Sequence, residues 1–185
     1  MEDTNVDAGP PAPGRALVVF ESMFGNTRIV AEAVAAGLAS GTKVDLVEVG
    51  DAPAVLDPEV DVLVIGGPTH ALGLSRPETR RQAAAVAPRP LVSPGRGLRE
   101  WLAALDCAEA RPQVAAFDTR IRHAPGSAAR AIRRRVRRLG LPVVARPESF
   151  YVLGTDGPLA RGEQERAERW GERVAGSVAT REEGQ

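Results

Sequence analysis

Cysteine, histidine and aromatic residues are scarce in this chain, and each scarcity excludes something. One of the 185 residues is a cysteine, Cys107, so no internal disulfide can form and no Cys-x-x-Cys metal motif is present. Cys107 reads as an incidental thiol at a loop or helix end rather than a redox centre. His70 and His123 are the 2 histidines, too few for a His-rich metal site. No apolar run approaches the roughly 20 residues that cross a bilayer, so no membrane role is expected. Residues 1–14 are acidic and rich in Pro and Gly, with no apolar core of a secretory leader. They are expected to form a disordered tail, with 181–185 as a second tail and 15–180 as a single domain in the cytoplasm. The chain also lacks the Gly-Lys-Ser/Thr ending of a Walker A loop and the Gly-x-Gly-x-x-Gly dinucleotide fingerprint.

What is present is a strand–loop–helix unit near the start. Residues 16–20 form an unbroken apolar run, Ala-Leu-Val-Val-Phe, as a buried parallel strand does. Residues 27–38 carry Ile29, Val30, Ala33, Val34, Gly37 and Leu38 at helical spacing. Between them lies Glu21-Ser22-Met23-Phe24-Gly25-Asn26-Thr27. A helix N-terminus at the carboxyl edge of a parallel sheet offers free N–H groups and a positive dipole end, which suit a phosphate. The donors here are neutral: the Ser22 and Thr27 hydroxyls, the Asn26 amide and the backbone N–H groups of residues 23–27. Such a set can hold one terminal monophosphate. The competing reading is a plain helix entry with Thr27 or Asn26 as N-cap.

The remaining pattern alternates strand and helix. Residues 43–49, 60–65 and 113–117 read as strands two to four, and 141–145 with 149–153 as a fifth strand broken near Pro147. Residues 80–86, 97–105, 126–140 and 162–180 read as helices. Trp101, Leu102 and Leu105 share one face, Gly140 stands at a helix C-terminus, and Trp170 packs inward. Residues 87–94 are Pro-rich and form a break. This order predicts an α/β fold, a doubly wound five-stranded parallel sheet with helices on both faces, for which 2-1-3-4-5 is one common strand order. A ligand then sits between strands one and three, where the loops after strands one, three and four converge.

Those other two loops carry Gly66-Gly67-Pro68-Thr69-His70-Ala71-Leu72-Gly73 and Phe117-Asp118-Thr119-Arg120. The two glycines admit a close backbone approach to a flat ring, and Pro68 stiffens the loop. The Ser-x-x-Gly-Asn-Thr order after the first strand resembles the FMN phosphate loop of the flavodoxin family, and Gly-Gly-Pro-Thr-His resembles its second flavin-contact loop. Asp118 and Thr119 stand where the family's third contact loop begins. The resemblance runs from Arg15 to about Ala179. It implies FMN as cofactor, with Ser22, Met23, Phe24, Gly25, Asn26, Thr27, Pro68, Thr69, His70, Gly73, Phe117, Asp118 and Thr119 as cofactor-binding residues. Phe24 occupies a place where the family usually has a further Ser or Thr. The usual stacking Trp and Tyr are absent, and His70 stands nearest the Trp position. Apart from the resemblance, His70 reads equally as a surface-loop histidine, Asp118 as a strand-end turn former, and Gly66-Gly67 as a tight turn.

From Arg120 to Arg138 there are eight arginines and no acid: Arg120, Arg122, Arg130, Arg133, Arg134, Arg135, Arg137 and Arg138. Ala128, Ala131, Ile132, Val136 and Leu139 form an inward stripe, so the arginines fan over the outer face. The face is either simply solvated or a dock, at 130–138, for an acidic partner or a nucleotide phosphate. Without interleaved aromatics it does not favour nucleic acid. Flavodoxin carriers tend to be acidic, so the basic helix implies a partner other than a basic reductase. Two functions remain open. One is an FMN redox protein, either a carrier serving a partner protein or an oxidoreductase acting on a small acceptor such as a quinone, or with NAD(P)H. The other is a flavin-free binding or regulatory module that uses the Arg-rich helix. No side chain demands an acid–base role, and Ser22 has no evident His/Asp pair of a hydrolase.

Overall fold

The computed structural model describes residues 14–40 and 42–182. Apart from Gly14, the expected N-terminal tail lies outside the described residues, as do residues 183–185. The element order is β1(Gly14–Phe20), α1(Asn26–Leu38), β2(Thr42–Glu48), β3(Val62–Pro68), α2(Pro77–Val86), α3(Leu98–Ala104), β4(Gln113–Ile121), α4(Ala128–Arg138), β5(Glu148–Val152) and α5(Glu163–Glu182). The strands form one five-stranded parallel sheet in the order β2-β1-β3-β4-β5. This is the doubly wound arrangement that the sequence predicts.

Period-two alternation divides the strands between two cores. Leu17, Val19, Leu63, Ile65, Val114 and Ala116 face α3 and α4, where Trp101, Leu102, Ile132 and Val136 are buried, and Cys107 joins this core. Ala16, Val18, Val62, Val64, Ala115 and Phe117 face α1 and α5, with Val30, Val34, Leu38, Trp170 and Val174. In the second core Phe117, Phe150 and Trp170 meet edge to face at centroid distances of 5.9, 6.0 and 6.2 Å. The scarcity of aromatics in the chain thus coincides with their concentration at one point. Among the described residues no helix is long and apolar enough to cross a membrane.

The structure differs from the sequence expectation at residues 141–145, at the ends of β3 and β4, and at the start of α2. Residues 141–145 are not part of β5. They run beside the start of β4 through a single bridge, with Val114 N–H donating to Pro142 O and Val144 N–H to Val114 O. Pro142 and Pro147 carry no N–H, and the ladder does not extend there. β3 continues to Pro68 and β4 to Ile121, because Gly66, Gly67 and Pro68 pair with Phe117, Asp118 and Thr119. Those residues therefore stand on strand ends rather than in free loops. α2 begins at Pro77, with proline at its first turn and the Thr79 hydroxyl accepting from Arg76 N–H. α4 ends as the sequence predicts. Gly140 has φ +76°, and its N–H donates to Arg137 O while Leu141 N–H donates to Val136 O, a Schellman closure.

Helices α1 and α5 touch through glycine. A Cβ at Gly37 would stand 2.0 Å from Glu168 O, and one at Gly171 would stand 2.4 Å from Val34 O. Gly176, on the exposed side of α5, would meet nothing within 4 Å. Gly37→Ala should therefore lower the unfolding free energy by about 1–3 kcal/mol through overpacking. Gly176→Ala should raise it by about 0.5–1 kcal/mol through helix propensity. Urea unfolding of both variants checks the pair, and equal effects would contradict this packing.

Candidate functional site

The carboxyl edge of the sheet opens into a cleft of about 450 Å³ at the β1/β3 switch point. Its floor is built by strand ends and its walls by loops. Ser22, Met23, Phe24, Asn26 and Thr27 come from the first loop, Pro68, Thr69, His70 and Ala71 from the second, and Thr119 and Arg120 from β4. Thr79, Gln82, Ala83 and Val86 of α2 cover one side, and Val152, Gly154 and Thr155 close the other. Among the described residues no aspartate or glutamate lines it.

The first loop is braced from outside. Ser22 N–H donates to Ser93 Oγ at 2.9 Å, Ser93 N–H to Ser22 O at 2.8 Å, and Val92 N–H to Met23 O at 3.1 Å. The Pro-rich break after α2 thus serves as the loop's support. Gly25, at φ +96°, turns the chain into α1 without a side-chain cap; neither Thr27 nor Asn26 is the N-cap. The Ser22 hydroxyl accepts from Gly25 N–H at 3.1 Å and Arg28 N–H at 3.4 Å, which leaves its own proton to donate. The N–H groups of Asn26 and Thr27 precede the first intrahelical bond, Ile29 N–H to Gly25 O, and have no acceptor among the described residues. Thr27 Oγ1 and Thr119 Oγ1 lie 2.7 Å apart, both buried. One bond between two hydroxyls leaves one proton unspent. The Asn26 amide donates instead to Asp156 O at 3.1 Å.

The second loop is a tight two-residue turn. His70 N–H donates to Gly73 O at 2.8 Å and Gly73 N–H to His70 O at 2.9 Å. Ala71 and Leu72 between them have φ +41° and +78°. Such conformations cost roughly 1–3 kcal/mol each for non-glycine residues and persist only where the surroundings hold them. The surroundings here are Ser127 N–H, donating to Leu72 O at 3.2 Å, and Gly126, where a Cβ would come within 2.2 Å of Leu72 Cα. Burial, and secondarily the charge of Arg80, push the His70 imidazole below its ordinary value, so it is neutral at pH 7.

Nine of the thirteen residues singled out in the sequence line the cleft, and Gly25, Gly73, Phe117 and Asp118 do not. Gly25 and Gly73 shape the turns. Phe117 belongs to the aromatic core, and a Cβ at Gly66 would come within 1.9 Å of its ring. Asp118 is fully buried and turned toward α4, where its Oδ2 accepts from Thr69 Oγ1 at 3.1 Å, Ser127 Oγ at 2.6 Å and Ala129 N–H at 3.0 Å. Sequence reasoning missed Glu21, which is completely buried at the end of β1. Its carboxylate accepts from the Ser75 hydroxyl and from Leu98 N–H at 2.9 Å, and Ser75 Oγ accepts from Arg80 at 2.9 Å. Desolvation pushes the Glu21 carboxyl up, against the Ser75 and Leu98 hydrogen bonds. An acid ending an otherwise apolar strand was the available signal.

The depressed His70 value has a pH signature. About a unit above the ordinary value of 6.5, the imidazole is neutral in both folded and unfolded chains and contributes no slope. Below that value the unfolded chain gains a proton that the folded one resists, so stability is lost as pH falls. His70→Gln should remove that component. The stability difference between variant and wild type, measured by urea unfolding, should shift in favour of the variant between pH 7.5 and pH 5.5. A difference that stays flat would mean His70 is not buried in this way.

Scans against family models and against curated proteins found no match. Solved structures do match. A flavodoxin from the domain Archaea is 20% identical, with TM-score 0.63 over 89% of this chain and 99% of that one. Oxidised Flavodoxin 1 from Bacillus cereus is 15% identical, with TM-score 0.62 over 90% and 97%. The Flv1 flavodiiron core from Synechocystis is 16% identical, with TM-score 0.61 over 92% of this chain and 37% of that one. The sheet order and these similarities together establish that the chain has the flavodoxin-like fold.

Proposed function

We propose that this cleft binds FMN and that the chain is a flavodoxin-like redox protein, passing electrons to a partner protein or reducing a small acceptor. The carrying observation is the donor set. Two free N–H groups at the start of α1, the Ser22 hydroxyl and the Thr27–Thr119 pair stand at one end of a cleft to which the described residues contribute no carboxylate. A phosphate needs donors and no competing anion, and this cleft supplies both.

The residues fit the group in kind. The donors at α1 hold a monophosphate without a lysine, and the rest of the cleft offers a flat ring mainly apolar or small neighbours such as Met23, Pro68, Ala71 and Val152. Bound flavin would supply the electron chemistry. The chain's own residues bind, orient and exclude water. Gly25 lets the loop bend toward the phosphate, Ser93 and Val92 hold that loop in place, and neutral His70 offers the ring a hydrogen bond without adding charge. Phe24 in place of a hydroxyl removes one donor from the phosphate end, and no tyrosine or tryptophan lines the cleft to stack on the ring. The alternative is a flavin-free module of the same fold. It draws on these two absences and on the engagement of the Asn26 amide with Asp156.

The visible spectrum of the purified protein, before and after excess FMN and desalting, separates the two. Flavin bands that survive desalting are expected. Thr27→Ala leaves the Thr119 hydroxyl without its partner and should raise the dissociation constant for FMN about tenfold, a loss of about 1.4 kcal/mol. Gly25→Val puts a β-branched residue at φ +96° and should abolish retention, with far-UV circular dichroism unchanged. A colourless protein that ignores added FMN would overturn the flavin reading.

A further inference from the structure

We propose that a second cavity, of about 310 Å³ on the other side of the 70–73 turn, is a binding site for a small polyanion with adjacent phosphates, of the diphosphate class. Arg76, Arg99, Arg134, Arg135 and Arg138 line it together with residues 71–74 and Ala131. The five guanidinium groups come from three separate parts of the chain: the residue before α2, α3, and the outer face of α4. The fold, not the sequence run, gathers them.

Three observations point to a ligand. First, the charges are uncompensated among the described residues. No described acid lines the cavity, and none of these five arginines makes an ion pair with a described residue. Glu100, which acts on Arg135 as the attractive charge, is already engaged by Arg80 at 3.1 Å and by Gly97 N–H at 2.9 Å. Second, the arrangement is costly by itself. Burial and then the charges of Arg99 and Arg138 push the Arg135 guanidinium below its ordinary value, the direction repulsion among like charges produces. Third, part of the cluster is fixed in advance. Arg99 Nε donates to Ser75 O at 2.9 Å and its Nη2 to Leu74 O at 2.8 Å, while Arg135 Nη1 donates to Arg99 O at 3.4 Å. A guanidinium fork held on backbone carbonyls loses little freedom when an anion arrives.

The chemistry of the ligand follows. Guanidinium groups match phosphate oxygens in a bidentate manner. Five of them facing one concavity exceed what a single carboxylate can neutralise, whereas adjacent phosphates concentrate several charges in a small volume. No aromatic residue lines the cavity to stack on a base, so the anionic groups carry recognition. Ala71 lines both this cavity and the cleft described above. One strained turn thus separates the two, but anion binding here does not depend on flavin binding there.

Isothermal titration of the full chain with inorganic pyrophosphate tests the proposal. Saturable one-to-one binding is expected, and Arg134→Gln/Arg138→Gln should weaken it about tenfold or more. The control, Arg130→Gln/Arg137→Gln, removes the same charge from exposed positions of the same helix outside the cavity and should change affinity by less than about threefold. Circular dichroism verifies that both variants fold. Absence of saturable binding, or equal weakening by the two double variants, would overturn the site and leave only diffuse helix charge. Competition between FMN and pyrophosphate would overturn it too, since both anions would then share one cleft.

Discussion

The Asp118 carboxylate gathers three segments at one oxygen. Oδ2 takes the hydroxyl protons of Thr69 and Ser127 and the N–H of Ala129, while Thr69 Oγ1 in turn accepts from Ala128 N–H. In that arrangement β4, the loop after β3 and the N-terminus of α4 cannot move independently. The negative charge also meets the positive end of the α4 dipole. Leu72 is held in its left-handed conformation by the same junction, through Ser127 N–H and Gly126. The wall between the two cavities therefore rests on a buried acid that lines neither of them.

The second organising feature is the segregation of charge. The chain is formally neutral, with 24 basic and 24 acidic residues. Part of its acid is bound up in ion pairs. Asp45 and Asp57 meet Arg15, Glu148 and Glu163 meet Arg166, and Glu100 meets Arg80. Glu21 is internal and satisfied by Ser75 and Leu98. What remains around the two cavities is free N–H, hydroxyl and guanidinium. A neutral protein can thus present a face that favours anions, because electrostatic recognition depends on local arrangement and not on the total.

The arginine run illustrates how position redistributes roles. Arg120 lies on β4 and donates into the carbonyl groups of Ala124 and Gly126, and Arg122 stacks on the Tyr151 ring at 4.3 Å. Neither belongs to the helix face expected from the sequence run. On α4, Ala128, Ile132 and Val136 are buried, which turns Arg134 and Arg138 outward toward Arg76 and Arg99. Sequence spacing foretold the basic face, but its concavity depends on residues from α2 and α3.

The sequence by itself determined the parallel sheet with helices on both faces and the turn between β1 and α1, because these follow from local signals. Apolar runs such as Ala16-Leu17-Val18-Val19-Phe20 bury on both faces, helical spacing marks α1 and α4, and Gly25 and Gly140 mark the turns that need positive φ. The tertiary structure alone decided where side chains spend their hydrogen bonds. Asp118 and Asn26 look like ligand residues in the chain, yet one caps a helix and the other holds the loop at Asp156. Residues 141–145 look like a strand, yet one bridge to β4 is all they form. The burial of Glu21, the bracing of Ser22 by Ser93 and the meeting of Arg76, Arg99 and Arg134 join positions far apart in the chain. No local periodicity encodes such pairings, since they exist only once the sheet has brought the loops to one edge.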